Sequence, residues 1–444
     1  MPVIRPFGSV RPAEDKASAI AALPYDVYNR REAKEVVERN PLSFLRIDRA
    51  ETQFADEKDM YSPEVYERAR RTLQEMMADG SFVRDEEPCF YLYALTYDGR
   101  TQTGIVGCVS VDDYLNGTIR RHENTKEDKE RDRICHVDTL NAQTGPIFLA
   151  YRQQTELQKI IEAVKCSLPL YDFTAEDGIR HQVWKIGRDT REDVRRQKEI
   201  EEIFSRIGYV YIADGHHRAA SAVKVGLKRR REHPGYDGTE EFNYFLSVLF
   251  PAEELRIFDY NRVVTGWNGH TFEDLLKRID ERFDIAECIT PDRIPGEDGA
   301  LEEEYASLVR PRCKGEIAMY GNGKWYRLTV HEDLYTDDPV DDLDVSILQN
   351  YILEPLLGIK NPKADPRIQF VGGVRGIREL VCLVDDGAQE RADDARRQPD
   401  RVAFAMYPTS MDELLAVADS GRLMPPKSTW FEPKLRSGLF IHLL

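Results

Sequence analysis

Apolar residues recur along this chain in two rhythms, one near 3.6 and one near 2, and the changes between them mark the predicted elements. In the first hundred residues, Ala22 to Val27 reads as short strand or loop because Pro24 disfavours helix, and Arg31 to Glu38 reads as a helix ending before Asn40-Pro41. A strand is predicted over Ser43 to Ile47. Pro63 to Met77 predicts a helix, with Val65, Ala69, Leu73 and Met76 on one face. Phe90 to Leu95 then alternates as a strand facing Gly104 to Val111 across the turn Asp98-Gly99.

From Glu156 to Lys198 the chain turns locally polar, with short strand-like and helical pieces, and predicts an insertion or subdomain. Tyr209 to Ala213 is β-branched and aromatic over strand length, and His216 to Leu227 carries alanines and valines at helical spacing. Asp214-Gly215 therefore falls at a strand-to-helix junction. Tyr244 to Phe250 is nearly all apolar, as a strand buried on both faces would be. Thr271 to Phe283 predicts a helix, Glu316 to Val330 a hairpin about Gly321-Asn322-Gly323, and Ser346 to Leu357 a buried helix. This is an α+β chain, which we divide into 1–265, with the insertion, and an α+β region at 266–444; no Pro/Gly/Ser linker marks the boundary.

The 444 residues are long enough for two or three domains, and at 41% hydrophobic they predict a folded chain. A net charge of −17 repels a polyanionic duplex and argues against general nucleic-acid binding. The run Lys228 to Arg231 suits a solvated helix end. Seven widely spaced cysteines without a Cys-x-x-Cys pair speak against a disulfide framework or a structural zinc site. No stretch approaches the about 18 apolar residues of a membrane span, and the start lacks the apolar core of a signal peptide, so the cytoplasm is the expected compartment.

Candidate chemistry gathers in three places. In Asp214-Gly215-His216-His217-Arg218 a strand end delivers a carboxylate, glycine lets the backbone turn closely, and a helix N-terminus presents free N–H groups. Asp214 can hold a divalent cation, while His216, His217 and Arg218 offer directed donors to phosphate oxygens. The structural alternative makes Asp214 a helix cap. Arg121-His122-Glu123-Asn124-Thr125-Lys126, followed by Lys129, Arg131, Asp132 and Arg133, is dense in groups that bind phosphate. Glu123 is its candidate general base, against the plainer reading of a solvated helix start. Near the end, Met424 to Lys434 is a proline-stiffened loop in which Lys427 and Lys434 supply point charges beside Ser428, or which packs Trp430 and Phe431 into a core. Asp26, after Pro24-Tyr25, reads as a turn residue or a ligand.

Several standard signatures are absent: the Gly-x-x-x-x-Gly-Lys-Ser/Thr loop, the Gly-x-Ser-x-Gly elbow and the His-Glu-x-x-His helix. Gly372-Gly373-Val374-Arg375-Gly376 lacks dinucleotide-fingerprint spacing and reads as a turn or bulge.

Taken in order, His122-Glu123-Asn124-Thr125, Asp214-Gly215-His216-His217-Arg218 and Pro425-Pro426-Lys427-Ser428-Thr429-x-Phe431-x-Pro433-Lys434 resemble the DUF1015 family of bacterial and archaeal proteins. Pro24-Tyr25-Asp26-Val27, Asp132-Arg133 and Leu343-Asp344-Val345 extend the likeness over nearly the whole chain. That family is distantly similar to the ParB/sulfiredoxin-like fold of free-serine kinases. The resemblance implies a ParB/sulfiredoxin-like mixed α/β core, Glu123 as general base and Asp214 as the Mg²⁺ ligand. It implies that His216, His217 and Arg218 contact the nucleotide or transferred phosphoryl; together with the residue readings above, the candidate site takes His217 as catalytic and His122, Thr125, Lys126, Arg133, Gly215, His216, Arg218, Lys427 and Ser428 as nucleotide or phosphate contacts. The resemblance implies ATP or ADP as nucleotide and a link to serine biosynthesis, with serine or phosphoserine as the small molecule, and it leaves room for a homo-oligomer.

Phosphotransfer between a nucleotide and a small hydroxylated metabolite is the leading expectation. The alternatives are a metal-dependent phosphoserine phosphatase, in which a metal activates water, and a non-enzymatic nucleotide-binding regulator.

Overall fold

The computed structural model describes residues 1–125, 127–288, 299–389 and 401–444. The chain forms two compact units, one of residues 1–255 with 433–444 and one of 256–432. Both are mixed α+β, and among the described residues no helix is long and apolar enough to cross a membrane.

The first unit is built on a large mixed sheet. Its strands are β1 (Ile4–Arg5), β2 (Phe90–Tyr97), β3 (Arg100–Ser110), β4 (Ile119–Arg120), β5 (Ile147–Tyr151), β6 (Tyr171–Thr174), β7 (Arg180–Ile186), β8 (Val210–Asp214) and β9 (Tyr244–Pro251). They lie in the order β4-β8-β5-β9-β3-β2-β7-β6, with β1 added along β3. The β4–β8 and β5–β9 pairs run parallel and the other neighbours antiparallel. Asp98 and Gly99 both take positive φ in the tight β2–β3 turn, as the alternating pattern around them requires. The segment 156–198 supplies β6 and β7, and β7 pairs over its whole length with β2.

The helices of this unit include α1 (Arg30–Arg39), α2 (Leu45–Asp48), α3 (Pro63–Ala78), α4 (Glu127–Leu140), α5 (Thr155–Lys165), α6 (Arg191–Phe204) and α7 (His216–Glu232). The strand expected at Ser43 to Ile47 is instead the short helix α2. Phe44, Leu45 and Ile47 are all fully buried, so the apolar run reflects burial on every side, against α3 and beneath Gly438, and not the pleat of a strand. One core lies between the sheet and α5, α6 and α7; a second gathers under α2 and α3 and takes in Leu140 and Ile441. The basic run at the end of α7 is tied down locally, Lys228 and Arg229 to Asp138 and Arg230 to Asp112.

The second unit carries its own sheet, of β10 (Tyr260–Thr265), β11 (Phe283–Glu287), β12 (Glu316–Gly321), β13 (Lys324–Val330), β14 (Ile368–Gly372) and β15 (Arg401–Met406). The β12–β13 hairpin turns at Asn322-Gly323, both at positive φ. The helix expected from Thr271 to Phe283 is shorter, Phe272–Ile279, because Phe283 already opens β11. The helix expected over Ser346 to Leu357 is α-helical only over Asp344–Leu348 and continues as a wider π-type turn, Gln349–Leu353.

Candidate active site

Strand β8 ends on Asp214, and the chain must reverse at once to start α7. Gly215 makes that turn at φ +93°, where a side chain is strained. A β-carbon there would also lie 3.1 Å from the guanidinium of Arg218, which folds back over the turn. Arg218 is fixed by a 2.7 Å hydrogen bond from Nη1 to the carbonyl of Pro146, just before β5. The first bond within α7 runs from the Ala219 N–H to the Gly215 carbonyl, so the N–H groups of His216, His217 and Arg218 precede it.

Asp214 does not cap the helix; the N-cap is Gly215, whose N–H donates to Asp214 Oδ1 at 2.8 Å. Oδ2 accepts from Lys434 Nζ at 3.1 Å. Burial alone would raise this carboxyl. The charges of Lys434 and Arg218, with the hydrogen bonds from Lys434 and Gly215, outweigh it and hold Asp214 well below the usual carboxylate range.

Because β4 runs parallel to β8, with Ile119 opposite Val210 and Arg120 opposite Tyr211, both strands release their chains at the same edge of the sheet. His122 therefore meets His216, edge to face, with ring centres 4.5 Å apart. Both rings are buried. Burial takes the His122 imidazolium down to about 4 against the pull of Asp214 and a hydrogen bond to the Ile212 carbonyl. It takes His216 well below its ordinary value, with the positive charge of His122 acting the same way. Among the described residues His216 Nε2 is buried without a hydrogen-bond partner. Glu123 follows at the same edge, half-buried, while Lys126 lies outside the described residues.

Thr125 and α4 add a carboxylate that spacing alone did not single out. Glu130 is buried, accepts from Thr125 Oγ1 and from Lys224 Nζ, and is held low by those bonds against its burial. Its carbonyl accepts from Ser221 Oγ at 3.1 Å, and that hydroxyl also donates to the His217 carbonyl at 2.7 Å. Glu130 thus fastens α4 to α7 beside His217. It sits in a run where nearly every neighbour is charged, so no pattern distinguished it.

Arg133, one α4 turn further on, is buried and paired with its neighbour Asp132 at 2.8 Å, and its guanidinium lies 3.8 Å from the ring centre of Tyr25. With Tyr25, Thr144, Gly145, Ser437 and Arg218 it lines a small cavity beneath the Gly215 turn. Of the two lysines expected to supply point charges, Lys434 belongs to this unit and reaches Asp214. Lys427 and Ser428 belong to the second unit: Lys427 Nζ lies 5.4 Å from the Tyr260 ring centre and Ser428 Oγ donates to the Pro425 carbonyl at 2.6 Å. Among the described residues no three His, Cys, Asp or Glu side chains converge as a protein-built metal site.

The model of one family, DUF1015, a protein of unknown function, matches residues 4–346. Among solved structures, a free serine kinase in complex with AMP is 13% identical, with TM-score 0.29, over 74% of this chain and 86% of that one. A C-terminally truncated SbnI from Staphylococcus aureus is 13% identical, with TM-score 0.36, over 76% and 87%. A conserved hypothetical protein from Pyrococcus furiosus is 14% identical, with TM-score 0.30, over 77% and 95%. No curated protein matches.

Proposed function

We propose, from the premise that the chain belongs to the DUF1015 family, whose function is unknown, that it is a cytoplasmic phosphotransferase acting between ATP or ADP and a small hydroxylated metabolite of the serine or phosphoserine type. A ParB/sulfiredoxin-like core is part of that reading. The observation that carries it is the shared exit of β4 and β8, where His122-Glu123 and Asp214-Gly215 emerge together, with His122 against His216 at 4.5 Å and Asp214 bound by Lys434. An ionised carboxylate, two cations and a helix N-terminus suit phosphoryl transfer, which asks for positioning and charge neutralisation more than covalent chemistry.

In this reading the acceptor hydroxyl oxygen bonds to the terminal phosphorus as the bond to the departing nucleotide oxygen breaks, and Glu123 takes the hydroxyl proton. Arg218, His216 and His217 donate to the phosphoryl oxygens. One carboxylate fits a magnesium ion that arrives with a polyphosphate, since Mg²⁺ takes one or two carboxylates beside phosphate oxygens and water. Asp214 would hold it, and when bound it neutralises charge on those oxygens.

Purified protein given ATP or ADP, Mg²⁺ and serine is expected to form phosphoserine, read by mass spectrometry. No product with any nucleotide between pH 6 and 9 rejects the reading. Glu123→Gln is expected to abolish turnover while nucleotide binding, read by calorimetry, persists; turnover at full rate removes Glu123 as the base.

A further inference from the structure

Away from the Gly215 turn, between α2, α3 and α4, the first unit holds a cavity of about 640 Å³, within the ~300–1,000 Å³ range of small-molecule clefts. Its lining residues are of two kinds. One is apolar and aromatic, with Ile47, Met60, Val65 and Ala69 beside Tyr28 and Tyr61. The other is charged, with Asp48, Arg133, Asp132 and His136.

Most of that charge is already matched. Arg49 pairs with Glu51 at 2.6 Å and donates Nη1 to the carbonyls of Tyr25 and Tyr28. Asp132 takes Tyr66 Oη on one oxygen, at 2.8 Å, and Arg133 on the other. Burial, with the charge of Arg133, keeps His136 neutral at physiological pH. What remains is one donor and one acceptor on two buried residues. Arg133 uses Nε and Nη2 on Asp132, and its Nη1 has no partner among the described residues. Asp48 accepts from Thr144 on Oδ1, and its Oδ2 has no partner among them. Neither atom is sealed away from the cavity.

A buried guanidinium donor and a buried carboxylate acceptor lining the same cavity as several apolar side chains fit a ligand carrying both charges and a greasy arm. Polyphosphate is disfavoured, because Asp26, Asp48, Glu51 and Asp132 outnumber the lining arginines, Arg49, Arg131 and Arg133. We propose that this cavity binds a free α-amino acid with an apolar or aromatic side chain, its carboxylate on Arg133, its ammonium on Asp48 and its side chain against Val65 and Ala69. The proposal does not depend on phosphotransfer, and the small cavity beyond it, which shares Tyr25, Asp48, Arg133 and His136, brings its charged end toward Arg218.

Calorimetric titration of the full chain with L-leucine, L-phenylalanine and L-tyrosine tests it, set against tyramine, which lacks the carboxylate, and 3-phenylpropionate, which lacks the ammonium. At least one amino acid is expected to bind, and each truncated analogue to bind at least tenfold more weakly. Asp48→Asn is expected to lose at least tenfold for the amino acid. Ala69→Phe, which adds bulk among the apolar lining residues and leaves both charges in place, is expected to abolish binding. Absence of binding by all three amino acids, analogues that bind as tightly as the amino acids, or full binding by folded Ala69→Phe each overturns the assignment.

Discussion

Lys434 Nζ and Asp214 Oδ2 lie 3.1 Å apart although 220 positions separate them in the chain. The residues after 432 belong to the same unit as β8, so the last dozen residues complete the charge balance of a turn made halfway along the sequence.

Lys434→Met is therefore expected to destabilise the protein at neutral pH by about 1 kcal/mol, a modest figure because a third of the Asp214 side chain is exposed. The native carboxyl lies below its unfolded value, so its contribution is complete above about pH 4 and is lost as pH falls through the native value. Urea unfolding of wild type and variant at pH 7 and at pH 3 should show a gap that narrows in acid. A gap that stays constant separates the two residues energetically.

The two facing histidines act on stability in the next pH window. Both are held below the unfolded value near 6.5, His122 at about 4, so the unfolded chain binds protons that the native site refuses. Stability drawn from their neutral forms is present above pH 6.5 and is lost as pH falls toward 4. His122→Gln is expected to flatten the pH dependence of unfolding by up to about 1.4 kcal/mol per pH unit between those limits. Comparing variant with wild type cancels the buried histidines away from this pair, and an unchanged slope would show that His122 titrates normally.

Much of this arrangement was legible before the structure, and the division follows the range of the forces involved. The Asp98-Gly99 and Asn322-Gly323 turns were readable because positive φ is a local demand that few residues meet. The strand-to-helix junction at Asp214-Gly215 was readable because hydrophobic period changes there from strand to helix. Phe44 to Ile47 was misread because a short apolar run buried all round looks alike as strand or helix until its neighbours are known. Three pairings depended on distant or crowded partners: Lys434 with Asp214, Arg218 with the Pro146 carbonyl, and Glu130 with Lys224 and Thr125. Nothing in local spacing distinguishes Lys434 from Lys427, or Glu130 from the charges around it.

Gly215 is open to a direct test. Gly215→Ala places a β-carbon at positive φ, 3.1 Å from the Arg218 guanidinium, so strain and displacement of Arg218 act together. A loss of roughly 1–2 kcal/mol in urea unfolding is expected. Nucleotide affinity measured by calorimetry should fall by at least tenfold. Gly99→Ala serves as the control: it also sits at positive φ, but with open space around it, and should cost comparable stability without the loss of affinity.

Arg218→Lys asks whether charge or geometry matters at the turn. Lysine keeps the positive charge but not the planar fork, which at present puts Nη1 on the Pro146 carbonyl at 2.7 Å while Nε and Nη2 lie over Gly215. If Arg218 served only as a counter-ion to Asp214, the variant would bind nucleotide almost normally. If, as proposed, it also directs two donors at phosphate oxygens, binding of ADP should weaken by at least tenfold while unfolding in urea changes by about 1 kcal/mol, the cost of one poorly replaced hydrogen bond. Calorimetry of the variant at low and at high salt separates the cases. A charge-only role predicts no deficit at either salt concentration, whereas a fork-specific role predicts one that persists at high salt, because salt does not replace a directed hydrogen bond.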